Sequence, residues 1–264
     1  MMNLRLLSSL LAAAVLSGCA SRTAKRPEAA RNAAIPTQER PGLGTAWGEQ
    51  RESWAEAAPF ARAWGDRPAA RDRLYYNDRG GVDAMLDFLG GKPNRADGLQ
   101  PSAGGLVRFG LRVGEGRWAD GFETKGRRFA VGERGERYEI VLKNDARRPV
   151  EVVLSVDGLD VMDGKAASLQ KRGYVLAPFE TLAVDGFRTS ATTVAAFRFG
   201  SVFDSYGRRR HGDAINAGII GIAVFDETRR RDAGAQRDSE PHAWRRVGSR
   251  PSPFGQQYAT PPDA

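Results

Sequence analysis

The sequence predicts a mainly β fold: an antiparallel β-sandwich, or a barrel-like relative of one, with one short helix and two poorly structured arms. Three observations predict it. From about residue 105 the apolar residues recur with a period near two. Clusters of Gly, Pro, Asn and Asp separate these runs at roughly ten-residue spacing. The two ends of the chain, by contrast, are poor in large apolar residues. No alternation of strand and helix patterns marks a doubly wound or (β/α) barrel fold.

The first residues read as an export signal. Arg5 and the terminal amine give a positive start, and Leu6 to Val15 is apolar with Ser8 and Ser9 interrupting. That stretch is far shorter than the ~20 apolar residues needed to span a membrane. Residues 1–18 are therefore assigned as a signal peptide. Residues 19–42, rich in Ala, Arg, Pro and Glu, are a flexible tether, because they cannot bury enough apolar surface to offset ordering. As a random coil the tether spans about 25 Å.

Residues 43–73 carry Trp47, Trp54, Phe60 and Trp64 in a charged, Ala-rich context. They are expected as an aromatic arm that packs on its own domain or waits for a partner. The globular domain is expected over 74–227. Leu74-Tyr75-Tyr76 begins it as a short strand. Val82, Met85, Leu86 and Leu89 share one helical face, with Asn77 or Asp78 as cap and Gly90-Gly91 as stop. Strands follow over 106–113, 138–143, 150–156, 174–176, 181–184, 194–199 and 219–225, rich in β-branched and aromatic residues. Residues 228–264, with Arg229-Arg230-Arg231 and several prolines, read as a solvated basic arm. Trp47-Gly48-Glu49-Gln50 is echoed by Phe254-Gly255-Gln256-Gln257, a coincidence or a repeated docking motif.

The one cysteine, Cys19, excludes a disulfide within the chain. Leu16-Ser17-Gly18-Cys19 resembles the bacterial lipobox. The resemblance implies cleavage before Cys19, several acyl chains including palmitate on that residue, and stable membrane attachment. Ala20 in place of Asp favours the outer membrane, facing the periplasm, in a Gram-negative cell. The segment Val156–Arg188, with Val194–Phe199 and Asn216–Gly221, resembles a group of exported bacterial proteins of unassigned function, a likeness that implies a shared β-domain and transfers no catalytic role.

The formal charge is +8, with 34 arginines and six lysines. High Ala and Gly alongside Arg are what GC-rich coding produces by itself. A basic surface still favours phosphate or carboxylate partners, such as lipid head groups or anionic glycans. Nucleic acid is not expected as the partner of an exported, anchored protein. The Asp204–Asp213 loop, with Tyr206 and Arg208, Arg209 and Arg210, could clamp an anion through forked donors, or could simply be a solvated loop. Asp157, Asp160 and Asp163 could supply oxygens to Ca²⁺. Their spacing is not that of an EF-hand, and Asp157-Gly158 and Asp163-Gly164 also read as turns.

Catalytic readings are thin. The two histidines, His211 and His242, sit far apart, and no nucleophile elbow or phosphate-binding loop accompanies them. No cofactor is implied. Carboxylate chemistry needs a facing pair, with candidates Asp157, Asp160, Asp185, Asp204, Asp226 and Glu227. The favoured expectation is a lipid-anchored, non-catalytic binding or structural protein that recognises an anionic envelope component or a protein partner. The alternatives are a carboxylate-dependent hydrolase of envelope glycan and an assembly factor docking through its aromatic arms.

Overall fold

Strand follows strand along the chain, and the computed structural model describes residues 40–102, 104–228 and 258–262 together with the backbone of 243–246. The first strands are β1 (Leu43–Glu52), β2 (Ala55–Ala58) and β3 (Ala70–Asn77), followed by helix α1 (Arg79–Leu89). Next come β4 (Asn94–Arg95), β5 (Gln100–Pro101), β6 (Val107–Val113), β7 (Arg117–Trp118), β8 (Gly121–Thr124) and β9 (Arg127–Val131). Then follow β10 (Tyr138–Asn144), β11 (Val150–Val156), β12 (Leu159–Asp160), β13 (Tyr174–Leu176), β14 (Thr181–Val184), β15 (Gly186–Arg188) and β16 (Thr193–Ser201). Helix α2 (Tyr206–His211), β17 (Ile219–Asp226) and β18 (Ala243–Arg246) complete the set.

Three sheets enclose one main core. The largest has the order β2-β18-β13-β11-β17-β3-β9-β8-β4, with β12 attached to β11. A second runs β14-β10-β6-β5, with β7 beside β6, and a third is β1-β16-β15. Pairing is antiparallel except for β3 with β9 and β13 with β18. Alternation decides which side chains meet. Val107, Phe109, Leu111 and Val113 of β6 share the core with Val150, Val152, Leu154 and Val156 of β11 and Ile220, Ile222 and Val224 of β17. The sheets do not close into a barrel.

The turns and caps follow the expected chemistry. Asp157 and Gly158 both take positive φ (53° and 81°) between β11 and β12, the two-residue hairpin that Asp-Gly favours. Asp78 caps α1 by accepting from the Gly81 amide at 2.7 Å, and Gly90 at φ 65° ends it. Val82 and Leu86 are buried against Phe129. Asn144, fully buried at the end of β10, donates to the carbonyls of Arg148, Leu176 and Ala177.

Two expectations change. Residues 43–73 are not an arm: β1 pairs along its length with β16, and β3 lies between β17 and β9. The reason is a bulge. Trp47 faces Phe197 but Gln50 faces Ala195, so β1 carries one extra residue, which hides its period in the sequence. Gly48 sits there because a Cβ would lie 2.5 Å from the Ala196 carbonyl oxygen. The turned Glu49 meets Arg198 at 2.8 Å. Trp47 packs on Phe187 and Tyr206, and Phe60 is buried, whereas Trp54 and Trp64 remain exposed. The basic tail is not wholly an arm either. The backbone of 243–246 forms β18, and Ala259 is buried, its amide donating to the Arg188 carbonyl at 2.9 Å. The second member of the echoed motif, Phe254–Gln257, lies outside the described residues.

Candidate anion-binding surface

Strand β3 reads Arg71-Asp72-Arg73-Leu74-Tyr75-Tyr76, and its period of two sorts the chemistry by face. Leu74 and Tyr76 enter the core, while Arg71 and Arg73 stand exposed on the outer face beside the half-buried Tyr75. The neighbouring strand β17 places Ala223 opposite Arg71 and Gly221 opposite Arg73. These small residues leave the space beside the arginines unfilled. Beyond them, Val153 and Ser155 of β11 continue the floor.

Two covers flank this floor. On one side Ala58, Phe60 and Leu169 pack on Val153, Val175, Ala223 and Phe225. On the other, α1 packs on Phe129. Between them lies an open trough. One cavity of about 510 Å³ is bounded by Arg71, Arg73, Ser155 and the Ala167–Leu169 loop. A second, of about 360 Å³, shares Arg71, Asp72 and Arg73 with it and adds Tyr75, Lys125, Gly126 and Arg127. Lys125 and Gly126 form the tight turn from β8 to β9, both at positive φ, which brings the Lys125 and Arg127 side chains to the same face.

The charge here is unbalanced. Among the described residues Arg71, Arg73 and Arg127 have no carboxylate within ion-pair distance. Several arginines elsewhere are taken: Arg62 by Glu151, Arg108 by Asp145, Arg112 by Glu139, Arg148 by Asp226. Asp72, the one acid in the trough, is held by Arg128 at 2.9 Å. Lys125, at the rim, donates to the Leu89 carbonyl at 2.5 Å. Four cations thus line a concave, solvent-open floor. Forked guanidinium donors suit phosphate, sulfate or carboxylate oxygens.

The residues singled out from sequence are placed otherwise. Arg208, Arg209 and Arg210 lie on α2, a helix between the Ser205 cap and the left-handed Gly212, not on an open loop. Consecutive helical positions diverge by about 100°, so the three side chains fan out around the helix instead of standing on one face. Arg208 donates to the Gly212 carbonyl at 2.8 Å, and the run complements the negative end of the helix. Tyr206 is 2% exposed, tilted against Trp47 and Phe187, with its hydroxyl donating to the Thr260 carbonyl. It is a core residue and cannot join a clamp.

The aspartates are also committed. Asp157 is buried and accepts from the Thr45 amide at 2.6 Å, the Tyr76 hydroxyl at 2.6 Å and the Gly218 amide at 2.9 Å. Burial nevertheless pushes its carboxyl up to about 6. Asp160 accepts from the amides of Met162 and Asp163 through Oδ1, while Oδ2 is buried without a partner. Burial raises it to about 6 as well. Asp163 pairs with Lys171 at 2.7 Å. Among the described residues no group of three His, Cys, Asp or Glu is arranged to hold a metal.

Of the other candidate acids, Asp185 is buried beside Arg51, Asp204 accepts from the Ser201 hydroxyl, and Asp226 pairs with Arg148. None of the six proposed acids lines the cavities of the trough. His211 meets the Gly164 carbonyl at 2.9 Å and Tyr206 edge-on. His242 and the segment Leu16, Ser17, Gly18 and Cys19 lie outside the described residues.

Sequence reasoning missed Glu151. It is fully buried on β11, held by Arg62 at 2.7 Å, near Arg172 at 3.4 Å, and bonded to the Gly173 amide at 2.7 Å. Arg62 also lies over the Phe225 ring at 3.5 Å. This pair fastens one cover of the trough. Its signal was a lone Glu within Val150-Glu151-Val152-Val153. Among the described residues no helix is long and apolar enough to cross a membrane. No family model matches the chain, and neither does any curated protein or any solved structure.

Proposed function

We propose that this chain is a non-catalytic binding module of the bacterial cell envelope, anchored by acyl chains on Cys19, that takes an anionic ligand in the trough on the outer face of its large sheet. The observation that carries the reading is the pair Arg71 and Arg73, without carboxylate partners among the described residues, shared by two adjoining cavities, one floored by Gly221, Ala223 and Ser155 and the other lined by Lys125 and Arg127. The lipobox-like Leu16-Ser17-Gly18-Cys19 and the following Ala20 support attachment to the outer membrane. The ligand class is polyanionic: lipid head groups, an envelope glycan bearing phosphate or carboxylate, or the acidic face of a protein.

The test uses long-chain polyphosphate as the probe, titrated at several salt concentrations. Binding to a polyanion releases counterions, at roughly 0.7–0.9 per neutralised phosphate in the best-characterised cases. The variant Arg71→Ser/Arg73→Ser/Arg127→Ser should bind at least tenfold more weakly and lose about 2 from the log–log salt slope. All three side chains are surface-exposed, so the variant should fold. Equal affinity and slope for the two proteins would sink the assignment.

A further inference from the structure

The trough continues into an apolar groove. A cavity of about 550 Å³ shares Tyr75 and Arg127 with it, a size within the roughly 300–1,000 Å³ of small-molecule clefts. One wall is the stripe Gly81, Ala84, Met85 and Phe88 of α1, a run at helical spacing without a charge. Asp83 and Asp87 fall on a different side of the helix, and Arg79 turns away to Asp120. The floor is Tyr75 on Phe129, stacked at 5.5 Å. Phe88 itself is 90% exposed, so its ring stands out from the groove mouth.

Asp78 at the helix cap also lines the groove, its carboxylate engaged by the Gly81 amide, and Arg127 links the groove to the cationic trough. An exposed aromatic beside an uncharged helix stripe, with cations adjoining at one end, is the chemistry of an interfacial surface. The opposite wall is Pro41 and Gly42, where the described chain begins. We propose that this face docks on a phospholipid bilayer carrying anionic head groups. Phe88 and Met85 enter the acyl boundary, and Arg73, Lys125 and Arg127 meet the phosphates. The proposal rests on the reading of the trough as an anion site and names the surface on which that site works. An acidic protein would satisfy the arginines but would give the protruding ring no apolar phase.

The experiment uses the full chain carrying Cys19→Ser, which leaves no native thiol. An environment-sensitive fluorophore is attached at Phe88→Cys or, as control, at Phe203→Cys, a second exposed ring that follows β16. Each protein is mixed with phosphatidylcholine vesicles with or without phosphatidylglycerol. The label at 88 should shift to the blue and be quenched by brominated acyl chains on phosphatidylglycerol vesicles alone, while the label at 203 stays unchanged. Adding Arg73→Ser and Arg127→Ser should raise the lipid concentration required by on the order of tenfold or more. An unresponsive label at 88, or equal responses at 88 and 203, or equal responses to both vesicles, overturns the proposal. Polyphosphate titration of the same proteins separates the two readings. Polyphosphate binding with a silent label at 88 overturns lipid docking and leaves the anion site standing, whereas loss of both overturns both.

Discussion

Replacing Asp157 with Asn probes the joint that ties β1, β3 and the β11–β12 turn together. The carboxyl accepts from Thr45, Tyr76 and Gly218, and Tyr76 in turn shares Thr45 with Tyr138. Burial lifts this group from 3.8 to about 6. Its folded value lies above its unfolded one, so folding takes up a proton between them. The associated stability is present below the unfolded value and is lost as pH rises through about 6. Lowering the pH from about 7.5 to about 5 should therefore add ~1.4 kcal/mol from Asp157. Asp160, also raised by burial to about 6, should add a similar amount. In Asp157→Asn the contribution of residue 157 disappears, and an amide facing the Thr45 N–H costs a further ~1–3 kcal/mol at every pH. Urea unfolding of both proteins across that range reads the difference directly, provided the slopes agree. The wild-type curve should gain ~1.4 kcal/mol on the variant as pH falls. Parallel curves would refute the buried, proton-binding Asp157.

Three further outcomes follow from particular contacts. Gly48→Ala should destabilise the protein by ~1–3 kcal/mol or more, since its Cβ meets backbone rather than a movable side chain; urea midpoints would show this. Glu151→Ala should cost ~3–5 kcal/mol by leaving the buried Arg62 without its nearest acid, with only the exposed Asp66 at 3.5 Å, and Glu151→Gln less, as read by thermal unfolding. Arg208→Ser/Arg209→Ser/Arg210→Ser should leave polyphosphate affinity within about twofold, because that run complements its own helix end. A large loss in that titration would return the site to α2.

The legible parts of the fold were those set by local chemistry. The run Val150–Val156 and its neighbours announce strands through period and β-branching, and Asp157-Gly158 announces the hairpin. The Asp78 cap and the Gly90 stop bound α1 as expected. Strand β1 was hidden because its bulge breaks the period at Gly48–Glu49. β3 was only half seen, since Arg71 and Arg73 read as part of a charged arm until β17 and β9 flank them. The site was less legible still. The alternation Arg71-Asp72-Arg73 carried a signal, but that Gly221 and Ala223 lie opposite is a fact of pairing across some 150 residues of chain. The Arg208–Arg210 run drew attention by density, yet density on a short helix disperses charge where alternation on a strand gathers it.

The most direct test of the trough is a residue-resolved footprint: amide and arginine side-chain NMR shifts of the isotopically labelled protein during titration with polyphosphate. The account predicts that the largest shifts fall on Arg71, Arg73, Tyr75, Gly221 and the Lys125–Arg127 turn, and that Arg208–Arg210 stay still. Shifts centred on α2, or spread evenly over the surface arginines, would contradict it.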